Sequence, residues 1–140
     1  MILEEWIPGT PRPQGNPQQV TAKFKRYPTS TIIHRNEVIR HLSEAWTGRA
    51  PLDCAVKLSA TFYFQRPKSH FGTGRNSAVL KDSAPPDHIQ TPDVDKLIRL
   101  ICDALTIAGV IKDDSRIVDE RGRKFWTVHP SGTNVWLEER

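Results

Sequence analysis

The chain has 140 residues, enough for one domain with a modest core. Hydrophobic residues make up 37%, prolines number 11, and the net charge is +4 with a pI near 9.3. Such a basic balance favours an anionic partner, nucleic acid first. No apolar run reaches the length of a membrane span. Met-Ile-Leu-Glu-Glu at the start lacks the basic and apolar regions of a leader peptide. Cys54 and Cys102 form no Cys-x-x-Cys pair and read as reduced, partly buried residues of a cytoplasmic protein.

In chain order, Ile2 to Ile7 predicts a first strand, ended by Pro8-Gly9. Thr10 to Gln19 carries Pro11, Pro13, Gly15 and Pro17 and reads as loop. Arg12, and then Lys23, Lys25 and Arg26, are side chains suited to phosphates, although scattered charge on a solvated loop explains them equally well. Thr31 to Trp46 predicts a helix through Ile39, Leu42 and Trp46, with Arg35, Arg40 and Glu44 facing out. His34 and His41 lack a third ligand nearby and read as surface or boundary residues.

Ala55 to Phe64 is the clearest strand. Val56, Leu58, Ala60, Phe62 and Phe64 alternate with polar residues, and Tyr63 should point to the polar face. Residues 65–90 read as a long, flexible basic loop with Arg66, Lys68 and Arg75 placed to grip a DNA backbone. An inert insertion is the plainer alternative. His70 and His88 have no cysteine partners for a zinc finger.

From Leu97 to Ala108 the apolar positions Leu97, Ile101, Ala104, Leu105 and Ala108 make one face of a helix. Lys96, Arg99 and Asp103 fall opposite. Asp93 or Asp95 can cap its start, and Gly109 is placed to stop it. Asp113 and Asp114 follow. Such a helix is roughly 18 Å long, so the two aspartate pairs begin at opposite ends. They converge only if the next strand runs back beside the helix start, or if a second subunit closes the gap. A convergent cluster of hard oxygens would suit Mg²⁺ or Mn²⁺, not zinc.

Ser115 to Val128 predicts a strand with a basic middle, Arg121, Arg123 and Lys124. Thr133 to Leu137 predicts a last strand, forming a hairpin with it across Pro130-Ser131-Gly132. The order is β-α-β-α-β-β: an α+β domain with one mixed sheet spanning residues 1–140.

Pro-Asp-Val-Asp-Lys-Leu from Pro92, then Asp103-Ala104-Leu105, Gly109 and Asp113-Asp114, resembles the signature of RusA-type endodeoxyribonucleases. These are small Mg²⁺-dependent Holliday junction resolvases, frequent in phages and prophages. The resemblance is closest over Thr91 to Val118 and extends more loosely to the whole chain. It implies catalytic and metal-binding roles for Asp93, Asp95 and Asp114, with Asp103 and Asp113 at further acidic positions of the motif and Asp113 a further metal ligand. This chain has Lys96 where the family often has Asn, and Arg99 where it has a functionally important lysine. Arg99 keeps the charge with a different donor geometry. The resemblance further implies a homodimer making paired symmetric nicks in four-way or branched DNA. By charge and position Lys96, Arg121 and Arg123 are expected among the DNA contacts, and no nucleotide cofactor is expected. Two other readings compete: another Asp-metal phosphohydrolase, and a non-catalytic branched-DNA-binding protein whose aspartates only stabilise a helix.

Overall fold

The computed structural model describes residues 2–140. Met1, part of the leader-peptide reading, lies outside them. A four-stranded mixed sheet is built from β1 (Leu3–Pro8), β4 (Val56–Gln65), β5 (Ile117–Thr127) and β6 (Gly132–Glu139). Its order is β1-β6-β4-β5, with β4 and β5 parallel and the other pairs antiparallel. Two helices, α1 (Thr29–Ala45) and α2 (Val94–Ile107), pack together, α1 also touching β1 and α2 also touching β4 and β5. The predicted α+β class, and the order of these six elements, match.

Period two in β4 explains the layering. Val56, Leu58, Ala60, Phe62 and Phe64 are buried in the core with Leu97, Leu100, Ile101, Ala104 and Leu105 of α2. Burying side chains of this size contributes on the order of 1.5–3 kcal/mol each. The intervening residues of β4 face away from the helices, and there Tyr63 lies between Trp6 and Phe125, 5.8 and 5.9 Å between ring centroids. Trp6 and Phe125 are themselves 46% and 40% exposed, so the row forms an uncovered aromatic face. Gly132 faces Trp6 at a distance that leaves no room for a Cβ.

Three expectations need correction. The last two strands are not a hairpin: β5 pairs with β4, and β6 inserts between β1 and β4. The turn at 130–132 changes the chain's direction, but β4 offers both strands an apolar partner. A hairpin also appears in the presumed polar stretch, β2 (Gln18–Thr21) paired with β3 (Phe24–Arg26), in a separate two-stranded sheet. Arg35 of α1, expected to face out, is half-buried and points toward α2.

Residues 66–93 hold little regular structure beyond two short 3₁₀ turns, yet they are tied to the sheet. Arg66 donates its backbone N–H to Thr127 and its guanidinium to the Pro85 carbonyl. Trp126 donates to the Asp87 carbonyl, and Lys124 to those of Gln90 and Pro92. His70 and His88 are buried against Trp126, 4.9 and 4.2 Å between ring centroids.

Candidate active site

The site is built around α2. Asp93 takes the N-cap position, as the sequence predicts, but its side chain makes no capping bond. Lys96, one turn on, reaches it at 3.6 Å. Gly109 follows the helix with φ +75°, the left-handed conformation that ends a helix at little cost to glycine. The chain then turns, and β5 returns along the helix. The return is close: a Cβ at Gly122 would overlap Ile98 and crowd Val94.

Between α2 and β5 runs an open groove of about 510 Å³. Asp95, Arg99 and Cys102, successive turns of α2, form one wall; Asp114 and Glu120 stand across from them. Asp114 accepts from the Thr106 hydroxyl, which sits 11 positions beyond Asp95 or roughly 16 Å along the axis. Asp95 and Asp114 therefore share the groove but belong to different stretches of it. Asp93 lies outside, in a neighbouring pocket with Arg12 and Lys96. Asp113 turns away and accepts from the backbone N–H of Ser115 at 2.9 Å, capping the 3₁₀ turn Asp114–Arg116. Hydrogen bonding to Ser115 holds its carboxyl below the usual range, with Arg116 adding to the effect. In this structure its carboxylate serves as a cap. Among the described residues no three His, Cys, Asp or Glu side chains stand close enough to hold a metal ion.

Asp103 has another role. Its carboxylate accepts from Gln14 at 2.9 Å and meets Arg35 at 3.5 Å. Gln14 is buried, and its backbone N–H donates to the Lys96 carbonyl. Asp103 thus ties the N-terminal loop to the flank of α2 that carries Lys96, opposite the apolar face as the helical spacing predicts.

The basic residues separate into groups. Arg12 and Lys96 stand beside Asp93. Lys23, Lys25 and Arg26 lie on the exposed β2–β3 ribbon, and Lys68 and Arg75 on the two 3₁₀ turns. Arg66 is partly committed to Pro85. Arg121 and Arg123 face away from α2, register partners of Ser59 and Thr61, so the structure sets them on the opposite side of the sheet from the aspartates.

One residue escaped the sequence reading. Glu120 lines the acidic groove and accepts from the Cys102 thiol at 3.2 Å. Its signal was its even position in β5, shared with Gly122, which puts it on the helix side. Burial first, and Glu120 second, push the Cys102 thiol up, keeping it protonated.

The model of the family described as Endodeoxyribonuclease RusA matches residues 8–138, nearly the whole chain. The chain belongs to the RusA endodeoxyribonuclease family. No curated protein matches it. Membership makes it a nuclease that hydrolyses phosphodiester bonds, of a family that resolves Holliday junctions and generally depends on divalent metal. Among the described residues of this RusA-family chain, no helix is long and apolar enough to cross a membrane. The groove offers carboxylates, one guanidinium and the protonated Cys102 thiol, and its carboxylates are donors suited to a hard divalent cation.

Proposed function

We propose that this chain is a Mg²⁺-dependent endonuclease that resolves four-way DNA junctions by paired symmetric nicks. The observation that carries the proposal is a single groove lined by Asp95, Arg99 and Asp114, inside a chain of the RusA family. Asp95 and Glu120, with Asp114 farther along the same groove, are the carboxylates that would hold metal there, and Asp93 would add its own from the neighbouring pocket. When bound, Mg²⁺ (or Mn²⁺) neutralises phosphate oxygens and lowers the pKa of an attacking water.

The chain's own groups do the rest. Arg99, between Asp95 and Cys102 on one wall, offers a fixed cation to the scissile phosphate as its charge grows. Lys96, drawn to Asp93, is placed to hold the adjacent phosphate. The Cys102 thiol stays neutral and adds no charge to a groove already rich in acids. Backbone contacts along Lys23, Lys25, Arg26, Lys68 and Arg75 would make binding strongly salt-dependent.

Two symmetric nicks need two sites, hence a homodimer. The aromatic row of Trp6, Tyr63 and Phe125 supports docking of a second copy on the uncovered sheet face. Glu4 on β1 and Arg123 on β5 flank that row, so a two-fold axis through it sets acid against base. The free cysteines support a reducing, cytoplasmic setting.

The test pairs a labelled four-way junction with a matched linear duplex, in Mg²⁺ or in EDTA, beside an Asp95→Asn variant. Paired nicks confined to the junction, requiring Mg²⁺ and lost in the variant, are expected. Tight junction binding without cleavage in any metal would leave a structure-specific binder instead.

A further inference from the structure

A second recess opens next to the catalytic groove, and its rings take no part in the chemistry above. The pocket holding Asp93, Arg12 and Lys96 continues past Thr10 and Phe64, residues it shares with a cleft of about 590 Å³. That cleft is lined by Arg66, Lys68, His88 and Trp126. Its rings are close together: Phe64 to His88 is 4.4 Å between centroids, and His88 to Trp126 is 4.2 Å at 32°. His88 is buried, yet its Nδ1 has no hydrogen-bond partner among the described residues. Arg12, Arg66 and Lys68 have no carboxylate at ion-pair distance among the described residues either. Asp93 is the one acid on the combined lining, and it meets Lys96.

Rings beside unmatched cations, continuous with a phosphodiester-cleaving centre, match one ligand chemistry. A base lies flat against rings and its flanking phosphates seek the cations. Duplex DNA hides its base faces in the stack, so only a nucleotide outside the stack can enter such a cleft. We infer that this cleft binds one unstacked nucleotide of the branched DNA, its base against the exposed part of Trp126 and its phosphates on Arg66 and Lys68, beside the strand held at Asp93. This rests on the nuclease reading and extends it: the cleft favours branched DNA because unpaired or poorly stacked bases occur at branch points.

The experiment compares junctions that carry a base or an abasic residue at each of the nucleotides flanking the cut, scored by cleavage and by equilibrium binding to an Asp95→Asn variant. One abasic position should lower wild-type cleavage about tenfold, within the range known for base–aromatic stacking. Trp126→Leu should lose a similar factor on the intact junction and nothing further on that abasic one. Because Trp126 is partly buried, Lys68→Ala serves as a second variant on an exposed residue; it should weaken binding of the intact junction several-fold and flatten its salt dependence. No abasic effect at any position, or penalties for Trp126→Leu and the abasic residue that multiply, overturns the inference while junction cleavage itself persists. Loss of all junction cleavage and binding in the wild type would instead remove the nuclease reading beneath it.

Discussion

The two flanks of α2 carry acids in opposite states. On the flank toward the N-terminal loop, Asp93 meets Lys96, and Asp103 meets Gln14 and Arg35. On the flank toward β5, Asp95 has no cation at ion-pair distance among the described residues, Asp114 is met by a hydroxyl and Glu120 by a thiol. A carboxylate matched by a cation has part of its charge already offset. Unmatched carboxylates in one groove repel each other and gain from a divalent ion. The helix therefore sets cation-matched acids on one flank and unmatched acids on the other, though all lie between Asp93 and Glu120 in sequence.

The sharpest way to break this contrast is to neutralise one acid on each flank. Asp95→Asn is expected to lower junction cleavage by about a hundredfold to a thousandfold, with binding by electrophoretic shift retained. If its cleavage stays within tenfold of wild type, the β5 flank is not the reacting one. Gly122→Val attacks the spacing between the flank and its strand. Its side chain must push Ile98 and Val94 aside, which should cost about 1–3 kcal/mol in chemical denaturation and reduce cleavage as well.

Asp103→Asn should do the reverse of Asp95→Asn. Losing the charge met by Arg35 is expected to cost about 1–2 kcal/mol, read as a lower Tm, with cleavage of the folded fraction near normal. Equal damage to cleavage from Asp103→Asn would erase the distinction between the flanks. The smallest effect concerns Cys102. Burial and Glu120 raise its pKa above the ordinary thiol value of 9.0, so the protonated form persists as pH rises through 9. Sign follows directly: the thiol's contribution to stability is present below that pH and is lost above it, as the unfolded thiol ionises first. Iodoacetamide labelling at pH 9 should be roughly tenfold slower in native than in unfolded protein, and Glu120→Gln should narrow the gap.

Much of this was legible in the sequence because the signals were local. Alternation through Val56 to Phe64 and the apolar stripe from Leu97 to Leu105 each report one element's own burial pattern. Gly109 ended α2 as its position indicates. Pairing partners were not legible. The contact of β4 with β5 spans the whole α2 crossover, and the turn at Pro130 gave a local hint of a hairpin that the sheet does not make. The β2–β3 ribbon was hidden because Gln18 to Arg26 is polar and exposed, with no buried face to impose a period.

The site divides the same way. Spacing marked two aspartate pairs, and the resemblance to the RusA signature singled out Asp93, Asp95 and Asp114. What spacing did not show is which partners each acid meets. Asp103 and Asp113 look alike on paper; one clamps a loop and the other caps a turn, because Gln14 and the Ser115 N–H happen to lie in reach. Glu120 was missed because its neighbour Cys102 is 18 residues away in sequence.

The placement of β5 at the end of the sheet has one more consequence. Its outer backbone edge meets no other strand of that sheet, and an open edge is a template on which further chains can add. Arg121 and Arg123, exposed on this strand, give two approaching copies like charges before a ladder can form. Repulsion of this kind opposes edge-to-edge pairing whether or not the two arginines also touch DNA. A chain with both neutralised should clump when concentrated, and high salt, by screening the remaining cations, should hasten it.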